Sequence, residues 1–181
     1  MARAKKDINK LSLDYVIGLL RIGLGSIFLW AFVDKLYGLG YATCRDATTN
    51  IVNTMCDKAW INGGSPTLGF LKFGTKGPFA DFYQGLAGNT LVDWLFMMGL
   101  LGIGAALILG IGIRIAALSG SVLLLMMYTA AWQPANNPIL DDHIIYIFVL
   151  IAIYMANGSQ VLGLGRWWSK QGLVKKYSWL Q

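Results

Sequence analysis

The chain has 181 residues, of which 56% are hydrophobic and 13% charged, with a net charge of +6. That is about half the charge density of a soluble domain, near 25%, so an ordinary water-soluble globule is excluded. The excess charge is Lys and Arg gathered at one side of apolar segments, which is the pattern of membrane topology and not of nucleic-acid binding.

The first apolar segment, residues 13–33, carries one basic residue, Arg21, within it. An arginine inside the stretch and the lack of a small-x-small site before Asp34 argue against a cleaved signal peptide, so a retained helix is expected. Arg21 lies about 12 Å along that helix from Leu13, at 1.5 Å per residue. A cation there is costly unless paired or hydrated. An inward-facing Arg21 bound to a carbonyl, a quinone oxygen or an anion is the sharper expectation, with Tyr128, Tyr146 and Tyr154 as hydroxyl partners on other segments.

Residues 34–91 form a loop too long to be a bare connection. It holds both cysteines, Cys44 and Cys56, which can close a disulfide on an extracytoplasmic side. Its second half, SPTLGFLKFGTKGPFADFYQGLAGN, sets aromatics between glycines and prolines. Pro78 suits the first turn of a short helix over 79–86. Such a segment fits a lid over the mouth of a bundle, or a plain packing cap.

From Leu95 to Leu164 the sequence is apolar except at Arg114 and in AWQPANNPILDDH. Helices of about 20 residues cross roughly 30 Å of hydrocarbon, so spans are expected at 92–113, 115–132 and 144–164. The turn GIGIR makes the second and third spans antiparallel neighbours. Gly102, Ala106 and Gly110 recur every four residues, which permits close helix approach or is simply tolerated. The fold class is therefore an all-α membrane protein: a four-helix transmembrane bundle, one domain, with a long, partly helical extracytoplasmic loop between helices 1 and 2.

Nine Lys and Arg (3, 5, 6, 10, 114, 166, 170, 175, 176) fall on one side, and five (35, 45, 58, 72, 76) accompany seven Asp (34, 46, 57, 81, 93, 141, 142) on the other. Both termini are then cytoplasmic, with residues 165–181 as a cytoplasmic tail in a multi-pass protein of the cell membrane. Trp30, Tyr37, Trp94 and Trp132 mark the outer interface; Trp167, Trp168 and Trp179 mark the inner one.

Helix ends bring polar residues to the outer face: Asp34 and Lys35, Asp93, Trp132 and Gln133, then Asp141, Asp142 and His143, the only histidine. Histidine titrates near neutral pH and a carboxylate orients its ring, which suits proton handling during quinone reduction. His143, Asp142 and Lys35 are the candidate catalytic residues; Arg21, Asp34, Trp132 and Tyr146 are the candidate quinone or substrate contacts. The plainer alternative is that Asp141 or Asp142 caps the fourth helix and His143 sits in its first turn. One histidine makes a haem or metal site on this chain alone hard to assemble.

The segments LLRIGLGSIFLWAFVDKLYG, GTKGPFADFYQGLAG, LGIGIR and NNPILDDHIIY together resemble the DoxX/DoxD family over most of the chain. The resemblance implies a four-helix membrane subunit that works with a small DoxA-like partner, or within a larger respiratory complex. In DoxD-type members two thiosulfates are joined to tetrathionate and the electrons pass to quinone. Arg21, Lys35, Asp142 and His143 stand at matching polar positions, whereas the loop cysteines match no family pattern. An accessory, non-catalytic subunit that binds lipid or quinone is the alternative.

Overall fold

The computed structural model describes residues 2–134, 137, 139–156 and 161–180, whose regular secondary structure is helical with no extended strand. Helix α1 runs Ala2–Tyr37 without a break. It ends where Gly38 takes φ +65°, and the N–H groups of Gly38 and Leu39 both return to the Asp34 carbonyl, a left-handed glycine stop. Helix α3, Thr90–Leu109, starts on Asn89, whose side chain accepts from the Leu91 and Val92 amides, and a short α2, Ala80–Gly85, precedes it. Gly110 and Gly112, at φ +72° and +59°, turn the chain within three residues into α4, Ile113–Ala130. Only residues that tolerate positive φ make so tight a turn without strain.

Three helical stretches, Ser12–Tyr37, Thr90–Leu109 and Ile113–Ala130, are long and apolar enough to cross a membrane. The fourth apolar helix, α5, spans Asp142–Met155, 14 residues or about 21 Å. The sequence expectation of one helix over 144–164 is corrected here. The helix is shorter, residues 157–160 lie outside the described residues, and 161–164 are bends. Short helices α6, Gly165–Trp168, and α7, Gly172–Lys176, follow, then a turn at Ser178–Leu180.

Helix α1 packs on α3, α3 on α4, α4 on α5, and α5 back on α1. Their shared interior is Leu24 and Phe28 from α1, Met97, Leu100, Ile103 and Leu107 from α3, Leu124 from α4, and Leu150 and Ile153 from α5. The outward faces are equally apolar: Leu19 is 62%, Leu95 66%, Leu118 71% and Phe148 56% exposed. An apolar belt on every helix is a liability in water and the expected surface in lipid.

Glycine sets the α1–α3 crossing. A Cβ on Gly104 would lie 2.8 Å from the Leu29 amide nitrogen, and one on Gly25 would lie 2.9 Å from the Leu107 Cβ. The every-fourth-residue row singled out in the sequence is used differently. Gly102 faces open space and Gly110 ends the helix; the face that meets α1 contains Gly104 instead.

Candidate functional site

The loop end of the structure holds three separate polar clusters. In the first, the buried Asp34 carboxylate accepts from the Tyr41 and Ala42 amides at 3.0 and 2.9 Å. It thus ties the chain leaving α1 back onto the helix end. Beside it Cys44 and Cys56 are joined in a disulfide, Cα–Cα 5.8 Å, and Gly38 lies against Cys44 so closely that a Cβ would sit 2.3 Å from its Sγ. Asp46 makes a small exposed turn, accepting from the Thr48 and Thr49 amides and the Thr49 hydroxyl. The Thr49 backbone N–H first, then its hydroxyl and the Thr48 N–H, hold the Asp46 carboxyl below the usual carboxylate range.

The second cluster centres on Asp93 in the first turn of α3. One of its oxygens accepts from Ser65 Oγ at 2.9 Å, Thr67 Oγ1 at 2.6 Å and the Thr67 amide at 3.2 Å. With the edge-on Trp60–Trp94 pair, centroids 4.7 Å apart, it docks the loop on α3. The later part of the loop lies across the end of α4. Leu71 and Tyr83 pack on Ala130, Tyr83 Oη meets Thr129 Oγ1 at 2.7 Å, and the Lys76 amide donates to the Ala130 carbonyl.

The third cluster is the start of α5. Asp141 is the N-cap, in extended conformation, and its Oδ1 accepts from the Ile144 amide at 3.2 Å. Its Oδ2 lies 2.7 Å from His143 Nδ1. Both side chains are partly buried, 26% exposed for the histidine and 16% for the aspartate. Asp141 is therefore the carboxylate that contacts His143. An extended N-cap folds its carboxylate over the first helical turn, within reach of the residues two and three ahead. Asp142, at the first helical position, points outward and is exposed. Nearby, Tyr128 donates to the Ile139 carbonyl at 2.7 Å and stands edge-on to Trp132. Gly77 packs on Trp132, where a Cβ would lie 2.7 Å from its Cβ. Tyr146 packs against the shared interior.

Lys35 is half-buried next to Asp34, its Nζ 6.0 Å from the Phe96 ring centroid. Among the described residues no hydrogen bond or ion pair joins Lys35 or Asp34 to His143. Of the lysine, carboxylates and histidine expected at a common height, the structure joins Asp141 with His143.

Arg21 lies at the other end, fully buried. Its Nη1 donates to the Leu107 carbonyl and to that of Ile108 at 3.1 Å; its Nη2 donates to Val161 and Leu162 at 3.1 and 2.8 Å. None of the three tyrosines serves it: Tyr128 bonds Ile139, Tyr146 lies in the interior, and Tyr154 faces Arg114 at 5.6 Å. The last carbonyls of a helix have no intrahelical donors. In α3 that of Ala106 accepts from Gly110 and Ile111, those of Leu107 and Ile108 from Arg21, and that of Leu109 from Leu164. Arg21 is thus a cation at the negative end of the α3 dipole and a clamp between α1, α3 and the strand of chain after α5. Among the described residues its Nε has no partner.

No family model, curated protein or solved structure matches this chain. The reading of the site therefore rests on its own chemistry.

Proposed function

We propose that the chain is a four-span integral membrane subunit, termini cytoplasmic, of a DoxX/DoxD-like oxidoreductase that passes electrons from thiosulfate, or a similar small sulfur compound, to quinone. A fourth crossing is supported by the Leu164 amide, which donates to the Leu109 carbonyl at 2.8 Å. The chain leaving α5 has by then returned to the α3–α4 turn. In the reaction two thiosulfates each give up one electron and join through a new S–S bond as tetrathionate. The quinone takes those two electrons and two protons to become quinol. Sulfur oxidation falls to a partner subunit, and this chain supplies the quinone side.

The observation that carries the proposal is the 2.7 Å contact of Asp141 with His143 Nδ1. A carboxylate on Nδ1 fixes the orientation of the ring, leaving Nε2 to exchange a proton with a quinone oxygen. Lys35 contributes positive charge at the same end, attracting an anionic donor.

The test is quinone reduction by the detergent-purified protein with its co-purifying partners, thiosulfate as donor. Turnover that disappears in His143→Ala, with the complex intact, is the expected result; a fully active His143→Ala variant removes this role. A second reading is favoured by a specific observation. Arg21 and Asp34, two of the four proposed quinone or substrate contacts, are engaged by backbone groups. On that reading the chain is a non-catalytic subunit of a larger membrane complex. An intact complex without thiosulfate-dependent turnover selects it.

A further inference from the structure

A groove of about 330 Å³ opens between α3 and α4, its lining including Ile103 and Ala116 of the shared interior. Its floor is Gly99, Gly102 and Ala106, its other wall includes Ile115 and Ser119, and Trp168 stands at one end. From Met98 to Ala106 it runs about 12 Å along α3 at 1.5 Å per residue. The lining is almost wholly apolar, and Ser119 directs its hydroxyl to the Ile115 carbonyl of its own helix.

The end at Trp168 has a definite construction. The Leu164 amide holds α6 to the end of α3, and Trp168 Nε1 donates to the Leu180 carbonyl at 2.7 Å. The turn Ser178–Leu180 packs in its turn on α4, and Val174 is buried. The C-terminal segment is thus folded into a foot across the turn end of the groove. Its exposed side chains are apolar or aromatic (Trp167, Leu173, Tyr177, Trp179) and basic (Arg166, Lys170, Lys175, Lys176). No acidic residue occurs after Asp142.

From the apolar groove and the basic, tryptophan-rich foot at its mouth, we infer that the two together hold one anionic phospholipid of the leaflet at the turn end. Its acyl chain lies along Gly102 and its phosphate meets Arg166 and Lys170. Charge decides the occupant. Basic side chains at a membrane surface select acidic headgroups, and tryptophan anchors at the headgroup level. A helix from another protein, about 10 Å wide, would run into Trp168 and the foot. A lipid chain ends there in its headgroup. The site requires only that the protein lie in a bilayer, so it stands or falls separately from the electron-transfer proposal.

Native mass spectrometry of the detergent-purified full chain, titrated with dioleoylphosphatidylglycerol or dioleoylphosphatidylcholine, tests it. The wild type retains one phosphatidylglycerol per chain, preferred about tenfold over phosphatidylcholine. Gly102→Leu fills the groove where nothing lies within 4 Å of the added Cβ, and it loses the retained lipid; Ser119→Phe, from the opposite wall, does the same. Arg166→Gln with Lys170→Gln keeps a lipid but loses the preference. Unchanged retention in both filling variants, or equal retention of the two lipids by the wild type, overturns the inference. So does a dimer that both filling variants disperse, since the groove would then belong to a second copy of the chain.

Discussion

Replacing Arg21 by Met keeps an unbranched apolar stem and removes the donors to four carbonyls: Leu107, Ile108, Val161 and Leu162. Hydrogen bonds between membrane helices average about 0.6 kcal/mol and reach about 1.7; in soluble proteins bonds to a charged group contribute about 1.5–3 kcal/mol. Four bonds near 1 kcal/mol sum to about 4, and relief from burying a cation offsets part of that. The expected net loss is about 3 kcal/mol. Arg21→Lys retains charge but offers three donors from one atom on a shorter stem, so about half of the loss returns. Gly163→Ala adds a second test, because its Cβ would sit 2.8 Å from both Arg21 Nη2 and the Leu109 carbonyl. It should destabilise the wild type and cost less in Arg21→Met, where only the clash with the Leu109 carbonyl remains, a non-additive pair. Equilibrium unfolding in mixed detergent micelles, followed by helicity, measures the wild type and the four variants. If Arg21→Met unfolds at the wild-type midpoint, the clamp is refuted and the arginine is free to be a ligand-binding group.

Asp141→Asn keeps a capping oxygen and loses the carboxylate on His143, whereas Asp141→Ala loses both, at about 1 kcal/mol for the cap. Asn at near-normal stability with reduced turnover assigns Asp141 to orienting the ring; equal turnover in Asn and wild type rejects that. Two glycines two residues apart should respond with opposite sign. Gly104→Ala forces α1 and α3 apart at about 1–3 kcal/mol, whereas Gly102→Ala, in open space, gains up to about 1 kcal/mol of helix propensity; detergent unfolding midpoints read both. The lowered carboxyl of Asp46 means that its turn is complete above the ordinary aspartate value of about 3.9 and is lost as pH falls through the lower folded value. The Thr49 amide shift should therefore titrate with a midpoint below about 3.9, and a midpoint at or above it contradicts the turn.

Much was legible in the chain because bilayer chemistry writes itself in composition. Helices need some 20 apolar residues to cross hydrocarbon, so three apolar helices long enough to cross a membrane stand where the hydrophobic runs lie, within a few residues. Glycines at positive φ mark where α1 and α3 stop. The short helix after Pro78 and the helix start at the Asp pair were similarly local, since caps and first turns depend on neighbours in sequence. Depth along the helix was readable too: Arg21 stands out because a charge inside an apolar run is conspicuous.

Azimuth was not readable, and azimuth decides contact. Asp141 over Asp142 as the partner of His143 follows from one extended residue at the helix start. The carbonyls that hold Arg21 carry no signature, because every residue has one; only a fold that brings the end of α3 beside 161–162 makes them acceptors. The length of α5 and the foot under the groove are likewise tertiary outcomes. Sequence by itself determined which segments prefer lipid, through local hydrophobicity and backbone chemistry. The tertiary structure alone decided which polar groups meet, because that depends on packing between segments up to 141 residues apart.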